Sequence, residues 1–244
     1  MTKFTPPKKL SVVVPVRNEQ DNVAPLVAEI DAALKGFTHE IVYVNDGSTD
    51  ETHVRLQQLQ TQYPQLRIVR HANSCGQSTA VRSGVKAAKY DWIATLDGDG
   101  QNDPADIPKL VDALEEGVWL VGGNRRKSRR DTWIKRISSV IANTVRSKML
   151  RDDTPDTGCG LKLFNKVAFL DLPYFDHMHR FLPALILRAG GEVISEPVNH
   201  RSRTMGVSKY GTLDRLWAGI TDIAGVIWLQ KRAKVPVVEE ITRS

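Results

Sequence analysis

The sequence predicts an α/β fold in which one mostly parallel sheet carries helices on both faces. Short apolar segments alternate with stretches of helical hydrophobic spacing through the first half of the chain. Such an alternation of strands and helices builds a parallel sheet. Acidic and amide side chains follow three of the apolar segments, and α/β proteins place their ligand sites at these strand ends.

Five strands and four helices are predicted in the first half. The strands lie at Leu10–Val16, Ile41–Val44, Leu66–Val69, Trp92–Leu96 and Val118–Val121. The first is a continuous apolar run, which is typical of a buried parallel strand. The helices lie at Asp21–Leu34, about Asp50–Gln62, Gln77–Lys89 and Pro104–Glu115. Pro104 suits the first position of its helix, because proline there sacrifices no hydrogen bond.

The second half is less regular. Residues 156–165 are typical of a tight turn entering a strand, and Glu192–Val198 is a further predicted strand. Helices are predicted at Thr132–Leu150, Phe181–Arg188 and Leu213–Lys231. The first and last of these helices combine apolar faces with basic residues. No internal repeat, low-complexity tract or linker is evident, which favours a single domain.

Composition and charge limit the function. The chain has 244 residues, 41% of them hydrophobic and 25% charged, as in ordinary globular domains. A net charge of +6 permits phosphorylated substrates, anionic lipid or nucleic acid as partners. Cys75 and Cys159 follow no metal-binding spacing, which indicates a reducing compartment. No apolar run is long enough to cross a bilayer and the N-terminus is not a signal peptide, so we expect a cytoplasmic location.

Two carboxylates stand one residue apart after the fourth predicted strand, in the segment Leu96–Gln101. In an extended chain the side chains of Asp97 and Asp99 point the same way and repel each other. Mg²⁺ or Mn²⁺ relieves this repulsion, since these ions prefer oxygen ligands and often keep substrate phosphates in their remaining positions. A structural Asp/Gly turn is the alternative interpretation of these residues taken alone.

Two further polar clusters follow predicted strands. Residues 15–19 follow the first strand and residues 45–50 the second, so three clusters on one rim of the sheet indicate a single cleft. A dense basic segment, Arg125–Arg130, follows the fifth strand. It is either a solvated surface or a phosphate-binding element, and its position near the carboxylates favours the latter.

Six segments, taken in order, resemble the family 2 glycosyltransferases, and within them the dolichyl-phosphate mannosyltransferase-like (polyprenyl-phosphate glycosyltransferase) group. Residues 15–19 resemble P-x-Y-N-E with Arg17 at the Tyr position, and residues 45–50 resemble D-D-G-S-x-D with Asn45 at the first Asp. Residues 97–101 resemble D-x-D-x-Q, residues 123–125 resemble G-S-R, residues 156–162 resemble the turn before the acceptor region, and residues 200–210 resemble H-x-x-R-x-x-G-x-S-K-Y.

The resemblance extends from Ser11 to about Tyr210 and implies a GT-A type (Rossmann-like) fold. We therefore expect residues 1–210 to form a GT-A glycosyltransferase domain. Residues 211–244 are expected to add a C-terminal amphipathic helix and tail to the same domain, with no transmembrane helix.

The resemblance also implies roles for individual residues. Metal on the donor diphosphate would be held by Asp97, Asp99 and Gln101, and the nucleoside by Pro15, Asn18, Glu19 and Asp46, with Gln77 near the donor. The candidates for phosphate contact are Arg125, Arg203 and Lys209. Arginine donates to phosphate oxygens in a bidentate manner, and lysine supplies a point charge. Asp156 is the candidate general base if the acceptor is a hydroxyl.

The expected activity is a metal-dependent, inverting sugar transfer from a nucleotide-sugar, GDP-mannose or a UDP-sugar, to a polyprenyl or dolichyl phosphate at the cytoplasmic membrane face. A phosphate oxygen is already anionic and needs no base. A hydroxyl acceptor on a glycan, lipid or small molecule is the enzymatic alternative. A basic nucleotide- or RNA-binding module is the non-enzymatic one, and the ordered acidic motifs argue against a nucleic-acid partner.

Peripheral membrane contact is expected through the helices at residues 132–150 and 212–231, since basic amphipathic helices bind lipid interfaces. Core packing is the alternative explanation of their apolar faces. A separate membrane subunit and a homo-oligomer both stay open.

Overall fold

Seven strands form one sheet in the computed structural model, which describes residues 4–125, 146–202 and 212–236, excluding the side chains of 212–218. The strands are β1 (Lys9–Val16), β2 (Thr38–Asp46), β3 (Leu66–His71), β4 (Trp92–Thr95), β5 (Val118–Asn124), β6 (Lys162–Asn165) and β7 (Glu192–Pro197). The helices are α1 (Val23–Ala33), α2 (Thr52–Gln60), α3 (Gln77–Ala87), α4 (Ile107–Asp112), α5 (Lys166–Asp171), α6 (Leu182–Arg188) and α7 (Thr212–Lys231).

The strand order is β3-β2-β1-β4-β6-β5-β7. β6 runs antiparallel to both of its neighbours, and every other neighbouring pair is parallel. The predicted α/β class with a mostly parallel sheet is therefore confirmed. The sequence correctly predicted a strand at the end of residues 156–165, but not its insertion between β4 and β5.

The reversal of β6 brings its first residue to the edge where the parallel strands end. Lys162 lies opposite Thr95 in β4 and Gly122 in β5. The turn that precedes Lys162 therefore reaches the carboxyl ends of the strands, where ligand sites form in α/β sheets.

Apolar side chains are buried on both faces of the sheet. Val12 and Val14 of β1 belong to the core beneath α1 and α4, whereas Val13 belongs to the core beneath α3 and α6. This division follows from the alternation of side chains along a strand. Burial of each such side chain contributes about 1.5–3 kcal/mol.

Some predicted bounds need correction. The helix predicted at Pro104–Glu115 begins as a 3₁₀ turn, Pro104–Asp106. The α-helix that follows, α4, ends at Asp112. The short helix α5 was not predicted. Of the predicted helix at residues 132–150, only the helical residues 146–150 lie within the described part.

α7 packs on the body of the protein. Val226 is fully buried in the core beneath α3 and α6. The Asp222 carboxylate lies 2.9 Å from Nδ1 of His177, and Arg188 Nε donates to the Leu229 carbonyl at 2.9 Å. Among the described helices, α7 included, none is long and apolar enough to cross a membrane.

Candidate active site

Hydrogen bonds join the loops after β1 and β2. The Asn18 amide donates to Ser48 Oγ at 3.0 Å, and the Thr49 amide donates to Asn18 Oδ1 at 2.8 Å. The Glu19 amide donates to Thr52 Oγ1 at 2.9 Å, at the start of α2. Asn18 has a φ of 52°, a left-handed conformation that asparagine tolerates better than most residues. Two of the predicted clusters thus form one rim.

Asp46 is buried and organises the loop between β3 and α3. Its Oδ1 accepts from the Cys75 amide at 2.8 Å and lies 2.7 Å from His71 Nδ1. Its Oδ2 accepts from Ser74 Oγ at 2.8 Å and the Gly76 amide at 3.0 Å. Burial alone would raise the pKa of Asp46, but these donors lower it below its ordinary value.

Asp97 lies at the end of β4, half-buried and close to Asp99. Burial and the charge of Asp99 raise the pKa of Asp97, and the opposing charges of Lys162 and Arg125 do not cancel this effect. Gln77 Nε2 donates to Asp97 Oδ1 at 2.8 Å. The carboxylate also packs on Gly160, where a Cβ atom would come within 2.2 Å of Asp97 Oδ2.

This pair of carboxylates suits a divalent cation. The donors are hard oxygen atoms, and burial together with the charge of Asp99 disfavours the Asp97 carboxylate in a way that a bound cation would offset. The backbone of Gln101 donates to Asp99 Oδ1 at 3.1 Å, and its carbonyl accepts from the Arg201 amide at 2.9 Å. The backbone of Asn102 pairs with that of His200. The start of the segment 200–210 therefore lies beside the carboxylate motif.

Arg125, which is largely buried, and Asp156, which is buried, form a bidentate ion pair. Arg125 Nε donates to Asp156 Oδ2 at 2.8 Å and Nη2 to Oδ1 at 2.9 Å, while the Arg125 amide also donates to Oδ2 at 3.1 Å. Burial alone would lower the pKa of Arg125, but the carboxylate raises it, so the guanidinium stays charged. The turn Gly158–Gly160 contacts Arg125 at one end and Asp97 at the other.

Lys162 and His179 line a small pocket with Pro15, Gln77 and Asp97. Lys162 is buried, donates to the Cys159 carbonyl and has a pKa lowered by burial. Burial also holds the pKa of His179 well below its usual range, and its Nδ1 lies 2.7 Å from Ser78 Oγ.

Neither Lys162 nor His179 is among the site residues predicted from the sequence. Lys162 ends the segment 156–162, which resembles a family motif. A lysine among apolar residues at the start of a predicted strand could have marked it as a site residue. His179 carried no comparable signal.

The structure thus brings most of the predicted site residues to one edge of the sheet: Pro15, Asn18, Glu19, Asp46, Gln77, Asp97, Asp99, Gln101, Arg125 and Asp156. Arg203 and Lys209 lie outside the described residues. Their neighbour Arg201 pairs with Glu29 at 2.6 Å and with Asp103 at 2.7 Å.

Comparison with known proteins agrees with the fold and the motifs. The sequence profile of Glycosyl transferase family 2 matches residues 11–172. A dodecaprenyl-phosphate galacturonate synthase of Rhizobium johnstonii is 36% identical over 231 residues, which cover 91% of this chain and 68% of the relative. An undecaprenyl-phosphate 4-deoxy-4-formamido-L-arabinose transferase of Edwardsiella ictaluri is 34% identical over 217 residues, covering 87% and 66%. The chain thus spans about two thirds of these relatives.

Solved structures of glucosyl-3-phosphoglycerate synthase from Mycobacterium tuberculosis share the fold. The complex with Mn²⁺, UDP and glucosyl-3-phosphoglycerate has a TM-score of 0.67 and 19% identity, covering 94% of this chain and 81% of that one. The UDP complex has a TM-score of 0.69 and 17% identity, and the match covers 94% of this chain and 82% of that one. The predicted family and the predicted GT-A type fold are both confirmed: the chain is a glycosyltransferase and belongs to glycosyl transferase family 2.

Proposed function

We propose that the chain transfers a sugar from a nucleotide-sugar to a polyprenyl phosphate. The position of the Arg125 guanidinium is the main support for this proposal. Asp156 holds it in place, and it lies close enough to Asp97 for each charge to shift the pKa of the other. A rigid cation beside a pair of carboxylates suits two phosphate groups, one bound through a metal and one bound directly. Both relatives are named for polyprenyl-phosphate sugars, one as a synthase and one as a transferase, which supports the same acceptor class.

Asp97, Asp99 and Gln101 are the residues that would hold Mg²⁺ or Mn²⁺. When bound, the ion neutralises the diphosphate that leaves with the nucleoside. Structures of the fold neighbour contain UDP with Mn²⁺ or with Mg²⁺, which supports a UDP-sugar as the donor. Gln77 orients Asp97 for this role through its 2.8 Å hydrogen bond.

The nucleoside is proposed to lie along the rim formed by Pro15, Asn18 and Glu19, where carbonyl and carboxylate oxygens can accept from base and ribose. Asp46 supports this rim indirectly, because its oxygens already accept from the loop between β3 and α3.

The ion pair of Asp156 also supports a phosphate acceptor. Both of its carboxylate oxygens accept hydrogen bonds from Arg125. A general base must instead present an oxygen to the proton that it removes. A polyprenyl phosphate attacks through an oxygen that is already anionic, so Asp156 serves by holding Arg125. Lys162 adds a second buried cation next to Asp97, and Arg203 and Lys209 are proposed as further phosphate contacts.

We also propose that residues 211–244 extend the same domain and place it on the inner face of the membrane. α7 exposes Ile220 and Trp228, which are 50% and 59% accessible, and Val235 follows it. Lys231, Arg232 and Lys234 lie at the same end of the helix, and a tryptophan among basic residues suits an anionic lipid surface. Flotation with anionic and with neutral vesicles tests this placement, and loss of binding in Trp228→Ala is the expected result.

The transfer reaction is tested by giving the purified chain UDP-galacturonate, UDP-glucose or GDP-mannose, with Mn²⁺ or with EDTA. Each donor is offered a polyprenyl phosphate and, separately, the corresponding polyprenol. We expect a glycosylated lipid phosphate only with Mn²⁺ and only from the phosphorylated acceptor. Product from the polyprenol alone would support the hydroxyl-acceptor alternative, and product in EDTA would contradict the role of Asp97 and Asp99.

A further inference from the structure

A second group of metal-ligating side chains lies outside the Asp97–Asp99 motif, between β2 and the loop after β3. Asp46 ends β2, His71 ends β3, and Cys75 stands two residues before α3. One carboxylate oxygen, one imidazole nitrogen and the thiol sulfur of these residues lie within 4.8 Å of one another. The loop thus gathers three different ligand atoms that the sequence holds up to 29 residues apart.

The chemistry of this set differs from that of the carboxylate motif. Mg²⁺ and Mn²⁺ prefer oxygen ligands, whereas a set of thiolate, imidazole and carboxylate suits Zn²⁺. We propose that Asp46, His71 and Cys75 form a binding site for a zinc-class cation, separate from the Mg²⁺ or Mn²⁺ site proposed at Asp97 and Asp99.

Two of the three ligands are already oriented by outer contacts. His71 Nδ1 lies 2.7 Å from Asp46 Oδ1 and Nε2 lies 2.9 Å from Ser83 Oγ. Binding of the ion to Nδ1 replaces the contact with Asp46 Oδ1 and shifts the imidazole proton to Nε2, where Ser83 Oγ can accept it. Such a contact on the far nitrogen fixes the tautomer of a metal-bound histidine. The Cys75 and Gly76 amides hold the Asp46 carboxylate from the other side, at 2.8 and 3.0 Å.

Cys75 supplies the movable ligand. Its side chain is exposed, and the thiol contacts the Asn73 carbonyl at 3.4 Å. Zinc bonds of about 2.0–2.3 Å place ligand atoms roughly 3–4 Å apart, so a rotation of the Cys75 side chain closes the site. Binding converts the thiol to a thiolate and releases one proton to solvent, without any change of oxidation state. Water can occupy the fourth position on the exposed side.

The experiment uses Co²⁺ as a spectroscopic substitute for Zn²⁺. The purified full chain is stripped with EDTA, freed of the chelator and titrated with Co²⁺, and the thiolate-to-cobalt charge-transfer absorption is recorded. We expect the band in the wild-type protein, its loss on addition of Zn²⁺, and its loss in Cys75→Ser and His71→Gln. Cys159→Ser and Asp97→Asn should keep the band, because Cys159 is a buried core thiol and Asp97 belongs to the other site.

A wild-type protein without the band, or a band that persists in Cys75→Ser, would overturn the proposal. A band that requires Cys159 or Asp97 would do the same. Cys75→Ser changes an exposed side chain and should fold normally, so it decides the matter even if His71→Gln is unstable. The readout does not depend on sugar transfer, so failure here is distinguishable from failure of the proposed reaction.

Discussion

Gln77 Nε2 donates a 2.8 Å hydrogen bond to Asp97 Oδ1 and thereby ties the first residue of α3 to the end of β4. Asp97 accepts this bond as a carboxylate whose pKa is raised by burial and by Asp99. The bond favours the ionised form that a cation requires, since a donor to the charged state stabilises it.

Gln77→Ala should therefore weaken metal-dependent activity without unfolding the protein. A hydrogen bond to a charged group contributes about 1.5–3 kcal/mol, so we expect the Mn²⁺ concentration for half-maximal activity to rise by roughly tenfold to a hundredfold. Thr79→Ala is a matched control, because Thr79 lies on the same helix and bonds to Cys75 and Tyr174 instead. An unchanged Mn²⁺ requirement in Gln77→Ala would show that this bond does not orient Asp97.

Asp97→Asn should stabilise the metal-free protein while abolishing transfer. The folded state penalises the charge of Asp97, because the raised pKa means that the proton binds more tightly there than in the unfolded chain. The penalty is present at neutral pH and disappears as the pH falls below the pKa of Asp97. In EDTA, the melting temperature of Asp97→Asn should exceed that of the wild type at pH 7, and the difference should shrink in acid. A lower melting temperature at pH 7 would contradict this account.

Asp46 should show the opposite pH dependence. Its folded-state pKa is lowered, so its contribution to stability is present above the unfolded-state pKa and is lost as the pH falls through the folded-state value. Asp46→Asn should lower the free energy of unfolding at pH 7 and reduce the acid sensitivity of stability. Denaturant unfolding of both proteins across the acidic range measures this effect. If the free energy of unfolding fell equally with pH in the two proteins, carboxylates other than Asp46 would be responsible for the acid sensitivity.

Asp156→Asn should cost both stability and transfer, because it leaves Arg125 buried without its carboxylate partner. Breaking a buried pair costs about 3–5 kcal/mol. The control is Asp152→Asn, since Asp152 forms a buried pair with Arg146 at 2.6 Å elsewhere in the chain. Activity per folded molecule should fall at least tenfold in Asp156→Asn and stay near wild type in Asp152→Asn. Equal activities of the two variants would show that the Arg125–Asp156 pair is not needed for the reaction.

Gly160→Ala should displace the Asp97 carboxylate. The new Cβ atom would lie 2.2 Å from Asp97 Oδ2, well inside van der Waals contact, so the side chain must move. We expect loss of Mn²⁺-dependent transfer in a protein that still melts cooperatively. Gly225→Ala is the control: its Cβ meets no atom within 4 Å, and alanine in a helix is favoured over glycine by roughly 0.5–1 kcal/mol.

The sequence was sufficient to predict the strands β1 to β5, because each is an apolar segment bordered by a stretch of helical spacing, and local periodicity distinguishes the two. Because β4 could be predicted in this way, Asp97 and Asp99 could be placed after its end. The pairing of β6 with β4 depends on contacts between residues 67 or more positions apart, which local patterns do not encode. The partners of Asp156 and Asp46 could not be predicted either, because the local sequence does not show whether a carboxylate at a strand end or in a loop meets a ligand or another part of the chain.

The reversed strand β6 also sets an order for folding during synthesis. β1 to β4 and the loops around Asp46 and Asp97 leave the ribosome before the strand that covers the open edge of β4. Until residues 162–165 arrive, that edge presents unpaired backbone groups to other chains, which is a route to aggregation. β5, which precedes Arg125, joins β4 only through β6, so a chain that stops before residue 162 would carry the carboxylate motif without the Arg125 cation placed beside it.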